Sequence, residues 1–304
     1  RVAGVVVTYF PDSDFADRLA AVAEETAPVI VVDNSADAAV QERLRAVCAP
    51  LRVRLIENPE NRGIGAALNQ AFAELERDGI EWAVAFDQDS MPELGFTAAL
   101  LETATASGSP VAAVTGANWH DRTRPDSLAR HLRKNPRLPA GFVRSVADRD
   151  LREITCVITS GSLFHLPAWR KLGGFDANLF LDLVDTEFCL RARAAGRDVR
   201  VAARALLHHQ RGAKRAVRFA GRTWWPAFMP ESRLTLLFRN RLFLFRRHGT
   251  QFPHWVLFEL AYAGKVLAEI VFLEDRKLSK LQACLRGTWT GMISRSPRST
   301  PLQS

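Results

Sequence analysis

The chain has 304 residues, of which 47% are hydrophobic, and its formal net charge at pH 7 is +8. This length and apolar content exclude general disorder and allow one large domain, or one domain with an extension. The four cysteines lie far apart without CxxC spacing, which argues against a zinc site and a disulfide framework and favours buried thiols in a reducing, cytoplasmic compartment.

The charge is distributed unevenly along the chain. Residues 205–304 contain 17 Lys and Arg against five Asp and Glu, whereas residues 1–204 contain 24 against 28. This asymmetry indicates that the carboxyl-terminal third meets an anionic partner, such as a nucleic acid, a membrane face or a phosphorylated substrate. No basic segment followed by a short apolar core opens the sequence, so no secretory signal is expected in it.

In the first half, short apolar segments alternate with segments of helical composition. The predicted strands are Val2–Thr8, Val29–Asp33, Val53–Glu57, Trp82–Phe86 and Val111–Thr115. The predicted helices are Asp14–Thr26, Ala36–Cys48, Gly65–Asp78 and Leu94–Ala106. Strands that are apolar throughout and separated by helices predict a doubly wound, mostly parallel α/β sheet, which binds ligands beyond the carboxyl ends of its strands.

The second half is less regular. Residues 118–150 are polar and rich in Pro and Arg, and we expect a long surface loop there. A helix is predicted at Val184–Ala195, ended by Gly196, and a strand at Asp198–Leu207. Three basic, aromatic helices are predicted near Glu231–Arg247, Trp255–Leu273 and Lys277–Met292. We therefore divide the chain into a domain at 1–210 and a helical extension at 211–304.

Two carboxylates, Asp87 and Asp89, directly follow the apolar strand that begins at Trp82. Residues i and i+2 of a strand face the same side, so both can present oxygens to one point. Two such charges repel each other unless a cation lies between them, and carboxylate oxygens suit Mg²⁺ or Mn²⁺. The alternative is a pair of solvated acids that cap the next helix.

Polar residues also end other predicted strands. Asp33 can accept hydrogen bonds from a base or ribose, or it can simply cap the helix predicted to start near Ala36. After the third strand, the segment NPENRGIG at 58–65 leads into a helix, where glycines and Arg62 could approach a phosphate. A dinucleotide fingerprint is not indicated, because its last glycine is replaced by Leu68.

Together these segments resemble the family 2 inverting glycosyltransferases with the GT-A fold. The motifs that carry the resemblance stand in that family's order over residues 1–210: VVVTYFPD, VVDNS, NPENRGIGAALN, FDQDS, SGSLF, GGFDANLFLDLVDTEFCLRARAAG and LLHH. The wording around DQDS is especially similar to bacterial rhamnosyltransferases that use dTDP-L-rhamnose. The resemblance implies a nucleotide-sugar donor, a Mg²⁺ or Mn²⁺ cofactor, and a saccharide or lipid-linked acceptor in O-antigen or lipopolysaccharide synthesis.

The resemblance also implies roles for individual residues. Asp185 corresponds to the general base, with Val184 where the family has Glu and an acid at Asp182 instead. The implied metal site contains Asp87, Asp89 and one of the tandem histidines, His208. The implied nucleotide-sugar site contains Thr8, Tyr9, Asp33, Asn34, Asn61, Arg62, Gly63, Gly65, Asn69, Asp87, Gln88, Ser160 and Gly161. The implied acceptor side contains Gly174, Phe175, Asp182 and Glu187.

Glu187 is the rival of Asp185 for the role of base. The two positions differ by about 200° around a helix of 3.6 residues per turn, so only one can face the cleft. Asp185 can also act simply as a cap at the start of its helix.

The run Glu231–Arg247 alternates basic and apolar residues at roughly helical spacing. It can lie at an anionic membrane face, which suits a peripheral location at the inner leaflet, or it can pack on the catalytic domain. Glu259, Lys265 and Glu269 argue against a membrane-spanning helix at Trp255–Leu273.

Other donors and other classes of function remain open. The same fold could transfer a sugar from UDP or GDP. A sugar nucleotidyltransferase is disfavoured because the first strand lacks a Gly-rich basic loop. A nucleic-acid-binding protein is disfavoured because no compact recognition motif is present and the acidic strand ends would have no role.

Overall fold

The computed structural model describes residues 1–106, 111–121, 130–138, 140–209, 216–219 and 221–294. The strands in these ranges are β1 Val2–Thr8, β2 Val29–Asp33, β3 Arg54–Glu57, β4 Trp82–Asp87, β5 Ser90–Pro92, β6 Val114–Asp121, β7 Arg130–Lys134, β8 Phe142–Val146, β9 Ser162–His165, β10 Val199–His209, β11 Val217–Phe219 and β12 Arg222–Trp224. The α-helices are α1 Phe15–Glu25, α2 Ala38–Cys48, α3 Gly63–Arg77, α4 Phe96–Ala104, α5 Leu166–Leu172, α6 Val184–Ala194, α7 Glu231–His248, α8 Pro253–Leu273 and α9 Lys277–Ile293.

Eight of the described strands form one mixed sheet in the order β3-β2-β1-β4-β9-β6-β10-β5. The strands β1, β2, β3 and β4 pair in parallel, as do β6 and β10. The strands β9 and β5 run antiparallel to their neighbours. All five residues of β2 are buried, as expected for a strand with both faces covered.

Helices cover both faces of the sheet and enclose two hydrophobic clusters. One cluster joins α1 and α4 to the sheet through residues such as Leu19 and Phe96. The other joins α3 and α6 through Phe72 and Phe188, whose rings both contact that of Phe164 on β9. The predicted doubly wound α/β class is therefore confirmed, and the carboxyl ends of β1, β2 and β4 meet at one edge.

One regional prediction was wrong. The segment 118–150 is not a structureless loop, because β6 continues to Asp121 and β7 pairs with β8 in a hairpin. His131 and Leu132 of β7 are buried, so this hairpin packs on the body of the protein. Residues 122–129 and 139, which the predicted loop includes, lie outside the described residues.

The three carboxyl-terminal helices match their predicted bounds to within two residues. Phe243 and Leu244 of α7 and Trp255 of α8 belong to the same buried cluster as the sheet. The extension thus shares the core of the first domain. The predicted boundary at 210/211 lies outside the described residues and stays a prediction. Among the described helices, none is long and apolar enough to cross a membrane.

Candidate active site

Asp33, at the end of β2, is fully buried, and one of its two carboxylate oxygens accepts hydrogen bonds from neighbouring residues. Oδ1 accepts hydrogen bonds from Thr8 Oγ1 at 2.9 Å, Ser35 Oγ at 2.7 Å and the Ser35 N–H at 3.2 Å. Oδ2 is buried and has no hydrogen-bond partner among the described residues. An unsatisfied buried carboxylate oxygen is costly, so Oδ2 is suited to accept a hydrogen bond from a ligand.

Asparagines connect the ends of β2 and β3 with the start of α3. Asn58 Nδ2 donates to Asn34 Oδ1 at 2.9 Å, and Asn34 Nδ2 donates to the Gly63 carbonyl at 3.3 Å. Asn61 Oδ1 accepts the Gly63 N–H at 2.9 Å. Asn34 is therefore a buried connector, whereas Asn61 and the neighbouring Arg62 are exposed.

The glycines that begin α3 face protein and do not form an open phosphate cradle. Gly63 has a φ of 77°, and a Cβ built there would lie 2.4 Å from the Phe180 carbonyl oxygen. The Ile64 N–H donates to that same carbonyl at 2.8 Å. A Cβ on Gly65 would contact Asp176 and Val184. Gly63 and Gly65 thus permit close packing against the segment that leads into α6, and the phosphate contact implied for them stays a prediction.

Asn69 and Phe175 also have packing roles in place of the ligand contacts implied above. Asn69 Oδ1 accepts the Phe175 N–H at 2.8 Å and the Trp169 Nε1–H at 3.3 Å, and its Nδ2 donates to the Phe175 carbonyl at 2.9 Å. The Phe175 ring is buried against those of Phe164 and Phe188. The Gly174 carbonyl accepts a hydrogen bond from Arg191 at 2.7 Å.

The segment Asp87-Gln88-Asp89, here called the DQD segment, begins at the last residue of β4 and lies at the same edge of the sheet as Asp33. Asp87 is the last residue of β4, whereas Asp89 lies in a turn, so strand alternation does not determine its direction as the sequence argument assumed. Between them, Gln88 Oε1 accepts the Tyr9 N–H at 2.7 Å, and Gln88 Nε2 donates to the Tyr9 carbonyl at 3.2 Å. The Arg18 Nε–H donates to the Gln88 carbonyl at 2.8 Å. Gln88 thus ties the DQD turn to the end of β1.

Ser160 and Gly161 form hydrogen bonds with the end of β4 and the start of the DQD segment. The Asp87 N–H donates to Ser160 Oγ at 3.0 Å, and the hydroxyls of Ser160 and Ser90 are 2.6 Å apart. The Gly161 N–H donates to the Ala85 carbonyl at 2.8 Å. Gly161 has a φ of 72°, and a Cβ there would lie 2.6 Å from Leu207, so both the turn and the packing favour glycine.

His208 pairs with an acid at the sheet edge. The Nε2 atom of His208 lies 2.6 Å from Glu93 Oε1. In the antiparallel pairing of β5 with β10, His208 lies opposite Met91. Because paired residues of antiparallel strands share a face, His208 faces away from the side on which Ser90 meets Ser160. The side chain of His209 lies outside the described residues. Among those residues, no group of three or more His, Cys, Asp or Glu is arranged to hold a metal.

Asp185 lies in the first turn of α6, which follows a left-handed residue, Leu183. Its Oδ1 accepts the Thr186 N–H at 2.6 Å. Burial, which the Thr186 N–H opposes and the nearby charges of Asp182 and Asp87 reinforce, raises the pKa of Asp185 to about 6. Asp185 is a half-buried carboxylate within electrostatic reach of Asp87.

Glu187 lies in a different environment, as the helical spacing predicted. It is 2% exposed, and Arg191 binds it through three hydrogen bonds of 2.7–3.3 Å. Arg247 and His248 of α7 approach it at 3.9 and 3.6 Å. Burial alone opposes its ionisation, but the close approach of His248 and the hydrogen bonds and charge of Arg191 outweigh this and lower its pKa to about 2. Glu187 is therefore an internal ion-pair anchor, and its placement on the acceptor side stays a prediction.

Two residues of α7 hold the segment that precedes α6. Arg233 binds the Asp182 carboxylate through contacts of 2.8–3.1 Å. Asn240 is fully buried; its Nδ2 donates to the carbonyls of Leu179 and Asp182 at 2.8 Å each, and its Oδ1 accepts two hydrogen bonds from Arg239. Their spacing of seven residues, two helical turns, places both on one face of α7, and this signal was available in the sequence.

Residues 2–226 match the model of the family described as Glycosyltransferase like family 2. The chain belongs to this family. Its resemblance to family 2 glycosyltransferases is thereby confirmed, as is the predicted class of enzyme at the level of the family.

A curated relative and several solved structures are similar to the chain. The dTDP-rhamnosyl transferase RfbF of Shigella flexneri is 27% identical over 193 residues, which cover 63% of this chain and 62% of that protein. Residues 1–349 of TarS from S. aureus match with a TM-score of 0.59 at 12% identity, covering 96% of this chain and 81% of that one. GalNAc-T7, solved with UDP, GalNAc and Mn²⁺, matches with a TM-score of 0.57 at 10% identity, covering 96% and 55%.

A mannosyltransferase from Pyrobaculum calidifontis, in complex with GDP-Man and Mn²⁺, matches with a TM-score of 0.52 at 15% identity, covering 96% of this chain and 87% of that one. At these identities the structural matches establish the fold. It is the predicted GT-A fold, a mostly parallel sheet flanked by helices with a helical carboxyl-terminal part.

Proposed function

We propose that the chain is an inverting, metal-dependent glycosyltransferase that transfers L-rhamnose from dTDP-L-rhamnose to a saccharide or lipid-linked saccharide in bacterial surface polysaccharide synthesis. The observation that carries the proposal is the position of Asp185: a carboxylate with a raised pKa, at the head of α6 and within electrostatic reach of Asp87. The printed name of the Shigella relative supports rhamnose as the sugar.

Asp33 is proposed to bind the base of the nucleotide. Its buried Oδ2 is an acceptor without a partner among the described residues, and the N3–H of thymine or uracil is a donor of matching polarity. Tyr9, whose ring is half exposed at the end of the neighbouring strand, is placed to cover the base or ribose. Thr8 contributes by fixing Oδ1 of Asp33, which leaves Oδ2 for the ligand.

Asp87 and Asp89 fit a divalent ion of the Mg²⁺ or Mn²⁺ type. Such ions take one or two carboxylates and complete their coordination with water and substrate phosphates, so a site without a third described ligand is consistent with this role. Two of the structurally similar enzymes were solved with Mn²⁺. When bound, the ion would offset the negative charge on the departing diphosphate. The contact between His208 and Glu93 does not support the histidine as a further ligand.

Asp185 is proposed to act as the general base. Above pH 6 its carboxylate is mostly ionised and can take the proton of an acceptor hydroxyl. As that proton leaves, the oxygen forms a bond to the anomeric carbon of the donor while the bond from that carbon to the diphosphate breaks, releasing dTDP. A single in-line displacement inverts the configuration, so a β-L-linked donor gives an α-L-rhamnoside.

Nucleotide release from a panel of donors tests the proposal. With Mg²⁺ or Mn²⁺ present, we expect release from dTDP-L-rhamnose to exceed that from UDP-GlcNAc and GDP-mannose. Preference for a UDP or GDP sugar would retain the transferase but replace the donor, an alternative favoured by the neighbours bound to UDP-GlcNAc and GDP-Man. Absence of release with any donor, together with salt-dependent DNA binding, would overturn the proposal.

Binding of dTDP provides a readout that does not depend on turnover. Calorimetry should show Mn²⁺-dependent binding of dTDP that weakens when Asp33→Asn removes one acceptor oxygen. The Asp37→Asn variant is a matched control, because Asp37 caps α2 through the Val40 N–H and is not in the proposed base pocket. Equal weakening in both variants would assign Asp33 a purely structural role.

A further inference from the structure

Helix α8 carries apolar residues on its outer side as well as on the side that packs on the core. Trp255 is buried, whereas Leu257 and Leu260 are exposed, Leu260 to 52%, and the two acids of the helix, Glu259 and Glu269, are buried. A surface helix normally turns its apolar stripe inward and its charges to water. The exposed apolar stripe of α8 is therefore suited to an apolar environment outside the protein.

The neighbouring helix α9 shows a similar arrangement. Its inner side carries small residues, and a Cβ on Gly287 would lie 2.3 Å from the Thr235 carbonyl oxygen of α7. Its large apolar residues point outward, with Leu278 78%, Leu285 70% and Trp289 62% exposed. The spacing of Leu278, Leu285 and Trp289 places them on one face of the helix. We call these residues, with Leu257 and Leu260 of α8, the outer apolar face.

Bases outnumber acids among the exposed charges around this face. On α8 and α9 the exposed charged residues are Lys265, Lys277 and Arg286, and the turn between the two helices adds Asp275 and Arg276. Each acid of α8 is paired with a base: Glu259 with Arg241 at 3.0 Å, and Glu269 with Lys265 at 2.6 Å. Apolar residues flanked by an excess of bases match an anionic lipid surface. A second copy of the chain would instead bring two surfaces of net positive charge together.

We propose that the outer apolar face docks on the surface of an anionic phospholipid bilayer. The leucines and Trp289 enter the boundary between headgroups and acyl chains, and Lys277 and Arg286 contact lipid phosphates. Because no described helix is long and apolar enough to cross a membrane, α8 and α9 lie along the surface. The docking does not depend on which sugar the enzyme transfers.

This assignment replaces the membrane role expected for the run that forms α7. The apolar residues of α7, including Leu234, Phe243 and Leu244, are buried. Arg246 of this helix donates to the Met292 carbonyl at the end of α9. Since α7 is the inner helix of the three, α8 and α9 are left to face the lipid.

Co-sedimentation with vesicles tests the apolar part of the proposal. Wild-type protein should bind vesicles of phosphatidylcholine and phosphatidylglycerol and bind pure phosphatidylcholine much less. The variants Leu260→Glu and Trp289→Glu should lower the partition coefficient more than tenfold. The matched control is Leu94→Glu, at a residue that is 95% exposed before α4 and should leave binding unchanged. Circular dichroism confirms that each variant is folded.

Charge removal tests the electrostatic part. Each base near an anionic surface contributes about 1 kcal/mol, so the double variant Lys277→Gln/Arg286→Gln should bind about 25-fold more weakly. The control Arg77→Gln/Lys171→Gln removes two exposed bases from α3 and α5 and should bind like wild type.

Three results would overturn the proposal: no vesicle binding by folded wild type, equal loss in the control variants, or a stable dimer without lipid affinity that Trp289→Glu converts to a monomer. The last result would assign the face to a second copy. Binding is measured without donor, so failure of docking and failure of the proposed transferase activity are separate outcomes.

Discussion

Three carboxylates at one end of the protein differ because of their surroundings. Asp33 has one carboxylate oxygen without a partner among the described residues, Asp185 has a raised pKa, and Glu187 has a lowered pKa. All three side chains carry the same carboxylate group. What distinguishes the proposed ligand contact, the proposed base and the ion-pair anchor is the set of donors and charges within a few ångströms.

The raised pKa of Asp185 predicts the pH dependence of the enzyme. The base acts in its ionised form, so kcat should rise with pH through about 6 and level off above it. Asp185→Asn should lower kcat by about 10²–10⁴-fold and remove this limb of the profile, while dTDP binding is retained. Steady-state kinetics between pH 5 and 8 check this, and an unchanged kcat in the variant would eliminate Asp185 as the base.

Asn240 predicts a positioning effect on Asp185. Asn240→Asp removes both N–H donors and places a carboxylate against the carbonyls of Leu179 and Asp182, which should loosen the segment before α6. We expect kcat to fall about 10²-fold with a smaller change in donor KM, and amide exchange at 179–186 to accelerate. The control Arg246→Gln alters a contact between α7 and α9 only and should affect neither quantity. A uniform loss of stability without faster local exchange would contradict the positioning role.

At the scale of elements, the segment between α5 and α6 is held from two sides. The start of α3 packs against Phe180, and α7 supplies Arg233, Asn240 and Arg247 to hold Asp182, the backbone around it and Asp176. These contacts orient the first turn of α6, where Asp185 lies. The packing of helices far apart in sequence therefore determines where the proposed base points.

Gly63→Ala tests the contact between α3 and this segment. A Cβ there would collide with the Phe180 carbonyl in addition to straining a φ of 77°. Gly79 has a similar φ of 75° but nothing within 4 Å, so Gly79→Ala measures the backbone strain alone. Strain of this kind costs about 1–3 kcal/mol, and Gly63→Ala should lower the free energy of unfolding by clearly more than Gly79→Ala. Equal losses in urea titrations would show that the collision is relieved easily.

The ion pairs of Glu187, which connect α6 with α7, predict how the free energy of unfolding depends on pH in the acidic range. The folded pKa of Glu187 lies near 2, below the ordinary 4.5, so its stabilisation is complete above pH 4.5 and is lost as the pH falls through about 2. Glu187→Gln leaves Arg191 and its neighbours without their anion and should cost about 3 kcal/mol at pH 7. The variant should also show a flatter dependence of unfolding free energy on pH between 4.5 and 2. A parallel pH dependence in both proteins would refute the assigned role.

At the scale of the whole molecule, the carboxyl-terminal helices and the sheet share one core. Trp255 of α8 is fully buried in the cluster that contains the strands of the sheet, and the Phe245 ring lies 5.4 Å from it. The described helices α7 and α8 therefore form part of the catalytic body. The exposed side of α8, together with that of α9, forms the outer apolar face proposed to meet lipid.

A pair of tryptophan substitutions tests this shared core. Trp255→Ala should lower the free energy of unfolding by about 3–5 kcal/mol in one cooperative transition, because it leaves a large cavity. Trp289→Ala, at a residue that is 62% exposed, should change it by less than about 1 kcal/mol. Two separate transitions in urea, with Trp255→Ala affecting only one, would show instead that the helices form an independent unit.

The sequence by itself determined the local features. It gave the bounds of β1 and β2 without error, the three carboxyl-terminal helices to within two residues, the mostly parallel sheet and the family, because these depend on periodicity and on motifs contiguous in the chain. It also gave the opposite orientations of Asp185 and Glu187, since helical geometry relates near neighbours directly.

The tertiary structure alone decided which polar residues are free for ligands and which are used internally. Asn69, Gly63 and Gly65 read as nucleotide contacts in the sequence, yet their partners Phe175, Phe180 and Val184 lie more than 100 residues away. The antiparallel insertion of β9 and the exposed apolar side of α8 were equally hidden. Such features depend on contacts between distant segments, which no local pattern of residue types records.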